Sequence, residues 1–138
     1  MIHIFAVGKV KEKWIREGCA EYSKRLKNVQ IGEIKDYGKE KEGVFFLEKI
    51  RKAKGTVVAL HETGKTMNSL SFAAWLKKQD DITFLIGSAD GLASSVLKEV
   101  YMQLRLSDLT FPHEIARLLF LEQLYRAQCI NQGKTYHR

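Results

Sequence analysis

The chain has 138 residues, 45% of them hydrophobic and 28% charged, with ten glycines and one proline. That length and composition fit one globular domain spanning residues 1–138, with a core of its own, and exclude a disordered or collagen-like chain. Lysine and arginine outnumber aspartate and glutamate by 23 to 16, a net charge of +7. Such a balance favours polyanions such as nucleic acid, although basic charge alone also serves solubility.

Ile2–Val7 alternates like a strand and stops at Gly8. The segment is too short for a secretory signal, and no apolar run reaches the roughly 20 residues of a membrane helix, so a cytoplasmic protein with no membrane association is expected. Lys11–Lys27 carries Ile15, Cys19, Tyr22 and Leu26 at helical spacing. Val29–Ile34 reads as a second strand, with Val29, Ile31 and Glu33 on one face. Lys39–Lys54 reads as a basic amphipathic helix with Phe46, Ile50 and Ala53 inward, ended by Gly55. Thr56–Leu60 is a β-branched run suited to a strand buried on both faces, followed by a turn over His61–Lys65. Ser69 is placed to cap a helix carrying Phe72, Ala73, Trp75 and Leu76. Ile82–Ile86 is another buried strand, the Gly87–Gly91 loop follows, and Leu92–Met102 reads as a helix. A short strand at Leu104–Leu106 precedes a polar loop. Pro112 then suits the first turn of a last helix reaching about Ile130. That helix is apolar nearly all round (Ile115, Leu118, Leu119, Phe120, Leu121, Leu124, Tyr125), which suggests burial on several sides and a partner subunit. Strands alternating with helices predict an α/β fold with a mainly parallel sheet flanked by helices. Cys19 and Cys129 stand at no motif spacing and read as buried, reduced thiols.

Several familiar motifs fail. Gly64-Lys65-Thr66 and Gly133-Lys134-Thr135 lack the earlier glycine of a P-loop, where Ala59 and Gln128 stand instead. Gly8 and Gly87-Ser88-Ala89-Asp90-Gly91 do not have dinucleotide-fingerprint spacing. His113-Glu114-x-x-Arg117 resembles a zinc helix with arginine in place of the second ligand, so no metal is expected. Yet loops at the carboxyl ends of strands in an α/β sheet are where ligands bind. A ligand held there without a phosphate loop needs an apolar slot and backbone groups at its edges, a description that S-adenosyl-L-methionine fits.

The segments Leu85-Ile86-Gly87-Ser88-Ala89-Asp90-Gly91, Leu106-Ser107-Asp108-Leu109-Thr110-Phe111-Pro112-His113, Glu122-Gln123-Leu124-Tyr125-Arg126-Ala127 and Tyr136-His137-Arg138 resemble the RlmH family. Val7-Gly8-Lys9, Glu21-Tyr22-x-Lys24-Arg25 and Ala59-Leu60-His61-Glu62-x-Gly64-Lys65 extend the likeness over essentially the whole chain. The family's members are SPOUT-class methyltransferases acting on N3 of a pseudouridine in 23S ribosomal RNA of the large subunit or assembled ribosome. The resemblance implies a C-terminal trefoil knot, a homodimer, and S-adenosyl-L-methionine bound at Leu60, Gly87 and Leu106, Ser107, Asp108, Leu109, Thr110 and Phe111. It implies a substrate region at His113 and the tail Tyr136, His137 and Arg138, the tail completing the partner's site. Two positions depart from the family's usual Gly-Gly and Glu, namely Ser88 and Asp90, and the chain is shorter around Asp36–Lys54.

Methyl transfer from a sulfonium is an in-line displacement, so alignment and exclusion of water matter most. The proton on N3 must leave. His113 is the candidate base, against a purely structural histidine bonding the loop. Asp90 could orient substrate or the methionine amine, or simply complement a helix dipole. Tyr136 could stack on a flipped base or pack as an ordinary aromatic, and Arg138 could bind phosphate. Arg117 and Arg126 are read as braces, the latter paired with Glu122. A branched residue at Gly87 is expected to occupy ligand space while the fold survives. The rival function is a non-enzymatic RNA- or ribosome-binding protein of the same fold.

Overall fold

A computed structural model describes residues 1–138. Its elements in order are β1 (Ile2–Val7), α1 (Lys13–Arg25), β2 (Val29–Ile34), α2 (Lys39–Lys52), β3 (Thr56–Lys65), α3 (Ser69–Lys77), β4 (Ile82–Ile86), α4 (Ser94–Leu97), β5 (Met102–Leu104) and α5 (His113–Asn131). The five strands form one parallel sheet in the order β2-β1-β4-β3-β5. Helices α1, α3 and α5 pack together, as do α2 and α4. Each crossover that moves toward β2 therefore uses the first helix layer and each that moves toward β5 uses the second, which gives all four the same hand, as parallel sheets require.

The strands at the centre are buried on both faces, and their side chains divide by parity. Ile4, Ala6, Val58, Ile82, Phe84, Ile86 and Leu104 join the larger core under α1, α3 and α5. Val7, Val57, Ala59 and Leu85 join the smaller core with Phe46, Leu92, Ala93 and Val96. Phe84 and Phe120 meet edge to face at 4.7 Å in the middle of the larger core. Cys19 and Cys129 are buried and unbridged. No helix is long and apolar enough to cross a membrane.

The structure corrects several element boundaries. The expected turn His61–Lys65 is strand: β3 runs ten residues, bulges after Leu60, and pairs again at Lys65 with Leu104. Gly64 permits this, because a Cβ there would stand 2.6 Å from the Gln103 backbone. The expected helix Leu92–Met102 shrinks to Ser94–Leu97, since Tyr101 N already donates to Val57 O at 3.0 Å and commits the chain to β5. The last strand accordingly shifts from Leu104–Leu106 to Met102–Leu104. Asn68, not Ser69, caps α3, its side chain accepting from Ser71 N at 2.8 Å. Pro112 occupies the N-cap of α5 rather than its first turn. Glu42, not among the residues expected to face inward on the basic amphipathic helix, is buried, and burial raises its carboxyl above the usual range.

Between Glu114 and Asn131 no residue is fully exposed within one protomer, because α1, α3 and the C-terminal tail cover α5. Phe120, Leu121 and Leu124 are buried inside the single chain, whereas Ile115, Leu118, Leu119 and Tyr125 stay half-buried.

Candidate functional site

The carboxyl ends of β3, β4 and β5 open into a cavity of about 840 Å³, within the range of small-molecule sites. Leu60, Ile86 and Leu104, the last apolar residues of their strands, lie at its base. Three segments wall it: the far part of β3 at His61–Thr63, the loop Gly87–Gly91 and the loop Arg105–Pro112, with His113 and Ala116 at the start of α5. All eight residues expected at a cofactor, Leu60, Gly87 and Leu106–Phe111, line this one space together with His113.

The middle loop is a tight turn. Gly91, at φ +81°, donates its N–H to Ser88 O at 2.9 Å, and Ser88 Oγ accepts from Asp90 N at 3.3 Å. Ser88 needs no left-handed backbone, so replacing the family's second glycine costs the loop nothing. Gly87 has a different constraint from the one expected. A Cβ there would sit 2.6 Å from Gly91 O and 3.1 Å from Leu92 Cγ, striking the loop itself rather than filling ligand space.

The third loop is held at few points. Arg105 N donates to Lys65 O at 2.8 Å, Leu109 N to Ser107 Oγ at 3.0 Å, and the Arg105 guanidinium to Asp108 at 2.9 Å. Leu109 is 73% exposed, leaving an apolar side chain in water at the cavity mouth. On the facing wall, His61 Nδ1 lies 2.8 Å from Thr63 Oγ1, and Nε2 stands beside Gly91. The cavity collects Glu62, Asp90 and Asp108 against one guanidinium, so it is acidic inside a protein of net charge +7.

Helix α5 is aimed at this space by a brace. Arg117 donates to Val7 O at 3.0 Å, Gly8 O at 2.8 Å and Glu33 at 2.5 Å, closing the end of β1. Glu114 accepts from Lys11 N at 3.0 Å and Glu12 N at 3.1 Å, and these two N–H groups hold its carboxyl below the usual range. Glu114 and Arg117, two of the three residues that mimicked a zinc helix, therefore act in packing, as expected for Arg117.

The tail does not line the cavity of its own protomer. Tyr136 donates to Glu122 at 2.9 Å, meets Tyr22 Oη at 3.3 Å and stacks edge to face on Tyr125 at 4.9 Å. Burial, with the Tyr22 and Glu122 contacts, drives its phenol far above the ordinary value. Arg126 pairs with Glu122 at 2.8 Å, as the i,i+4 spacing predicted, and bonds His137 at 3.0 Å. Glu122 lies nine residues along α5 from His113, about 14 Å of helix. One protomer therefore brings together His113 and the eight expected cofactor residues but not Tyr136, His137 or Arg138.

Sequence reasoning missed His61, Glu62 and Arg105 as lining residues. The signal for the first two was their position directly after Leu60. Arg105 was hidden by the strand assigned over it.

The family model described as "Predicted SPOUT methyltransferase" matches residues 1–137. The proteins named Ribosomal RNA large subunit methyltransferase H from Prochlorococcus marinus (strain NATL2A) and Synechococcus sp. (strain CC9902) are 48% and 44% identical to this chain. Each alignment covers 98% of this chain and 94% of the relative. A Legionella pneumophila protein solved in complex with the bound cofactor SAM superposes with a TM-score of 0.59 at 15% identity, over 91% of this chain and 66% of that one. The tRNA (m1G37) methyltransferase of Aquifex aeolicus gives 0.50 at 17% identity, over 91% and 69%. These two likenesses concern the fold. A chain matched from end to end by the family model and nearly half identical to its relatives belongs to the SPOUT methyltransferases, among the ribosomal RNA large subunit methyltransferase H proteins.

Proposed function

We propose that this chain transfers a methyl group from S-adenosyl-L-methionine to N3 of a pseudouridine in 23S ribosomal RNA, in the cytoplasm, as a homodimer acting on the large subunit or assembled ribosome. The observation that carries the reading is the acidic cavity in a basic protein. Glu62, Asp90 and Asp108 suit a ligand bearing sulfonium and ammonium charges, while the +7 balance suits an RNA surface. Leu60, Ile86, Leu106 and Phe111 supply apolar surface for an adenine ring, and the loop backbone at Gly87–Gly91 supplies groups for its edges. The residues present thus fit S-adenosyl-L-methionine, which supplies an electrophilic methyl when bound.

The chain's own residues then have three tasks. The loops 87–91 and 105–111 fix the cofactor and exclude water. His113, exposed at the cavity rim, accepts the N3 proton as the nucleotide nitrogen is alkylated. The tail positions the nucleotide, Tyr136 and His137 being held on α5 so that Arg138 projects. Because its docking point lies well away from the cavity of its own protomer, the tail is assigned to the cavity of the second copy.

The test is transfer of labelled methyl from S-adenosyl-L-methionine to ribosomes lacking the modification, with intact protein and with protein lacking residues 136–138. The expected result is methylation by the intact protein, loss of at least about 100-fold in the truncated one, and equal cofactor binding by both. Equal loss of transfer and binding would make the tail structural. Efficient methylation of free pseudouridine would contradict a ribosomal substrate. Binding to ribosomes without any transfer would favour the non-enzymatic reading, and a stable 15.9 kDa monomer in light scattering would exclude the dimer.

A further inference from the structure

Arg105 is the one permanently cationic side chain lining the cavity. It also lines a second cavity of about 370 Å³ beside Phe111 and Leu119, so it stands in the wall between the two spaces. It lies just outside the Leu106–His113 segment that carries the family resemblance.

Its resting contacts leave it incompletely satisfied. The guanidinium donates to Asp108 at 2.9 Å, but the Asp108 side chain is 85% exposed and Arg105 itself 37% exposed, so the pair is weakened by water. The Nε–H, meanwhile, is buried with no acceptor. A buried donor without an acceptor is destabilising, and a carboxylate offered from the cavity would let the planar fork reorient and bond on two sides. The ligand of the proposed function has such a group. Its sulfonium and ammonium match Glu62, Asp90 and Asp108, whereas its carboxylate is repelled by the same three residues.

We propose that Arg105 binds the carboxylate of the methionine moiety of S-adenosyl-L-methionine, releasing Asp108, and so selects the intact cofactor over forms lacking that carboxylate. The inference rests on the cavity being the S-adenosyl-L-methionine site.

Calorimetric titration of wild type, Arg105→Gln and Arg105→Lys with S-adenosyl-L-methionine and with its decarboxylated form tests it. Arg105→Gln is expected to weaken the intact cofactor about 10- to 100-fold, the loss of a charge-assisted contact, and to change the decarboxylated form by less than about twofold. Arg105→Lys should recover part of the loss, keeping the charge without the fork. Equal weakening of both ligands in a variant with unchanged melting would make Arg105 a brace of the loop and overturn the proposal, as would no weakening at all. Should Arg105→Gln unfold, Arg105→Lys carries the test on its own, compared against wild type with both ligands. It is expected to weaken the intact cofactor by a larger factor than the decarboxylated form, and equal weakening of the two, or none, overturns the idea. Wild type that binds neither ligand would instead refute the cavity assignment beneath it.

Discussion

Helix α5 begins between two regions built on opposite plans. On its β1 side, Arg117 and Glu114 are tied to four backbone groups and a carboxylate, with Arg117 only 7% exposed. On its cavity side, the loop 105–111 is held by one backbone bond to β3, one serine turn and one water-exposed ion pair, and leaves Leu109 in solvent. The first region fixes where His113 stands. The second keeps groups uncommitted for a ligand to claim. Order on one side allows adaptability on the other, because a loop can close on a ligand productively only against a wall that does not move.

The comparison breaks most sharply at Arg117. Arg117→Met should strip Val7 O and Gly8 O of their donor, costing about 2–4 kcal/mol, mostly from these two carbonyls because the Glu33 side chain is 38% exposed; urea unfolding measures it. Gly87→Ala is expected to cost about 1–3 kcal/mol by overpacking against Gly91 O, and to weaken cofactor binding in parallel. If the alanine variant keeps full stability but loses binding, the loop is softer than its geometry implies.

A smaller effect should come from Glu114. Its carboxyl is held below the ordinary value of 4.5 by the Lys11 and Glu12 N–H groups. A depressed folded pKa contributes stability that is present above the unfolded value and lost as pH falls through the folded one. The stability difference between wild type and Glu114→Gln should be flat above about pH 5.5 and shrink on acidification below 4.5, which denaturation at a series of pH values would follow. Leu109→Ala, at the loose end of the comparison, should stay within about 0.5 kcal/mol of wild type while measurably lowering cofactor affinity. A large loss of stability there would mean that the loop is as rigid as the brace.

How much of this was legible in the sequence follows from the range of each interaction. Strands buried on both faces, such as Ile82–Ile86, announce themselves as unbroken apolar runs, and α5 by its length and periodicity. The eight expected cofactor residues were legible through the family likeness and the rule that parallel sheets bind ligands at strand ends. The extension of β3 was not, because His61-Glu62-Thr63-Gly64-Lys65 has the composition of a turn, and only the backbone of β5 passing against Gly64 makes it strand. The brace was only half legible. Arg117 could be read as structural, but nothing local says that its acceptors lie 109 and 110 residues earlier. The docking of Tyr136 on Glu122 and Tyr22 was equally silent, since a terminal aromatic reads the same whether it packs or projects.

The Arg117 brace also bears on the order of events during synthesis. β1 is made first, yet it pairs with β4 from Ile2↔Ile82 onward, and its carbonyl end is closed only by a residue of the last helix. At about 5–20 residues per second of translation, the first strand waits several seconds with one edge unmatched. Contacts between such distant residues are slow to form, because loop closure must precede their reward. The emerging chain is thus committed late, when α5 leaves the exit tunnel and locks the N-terminal strand it has long since left behind.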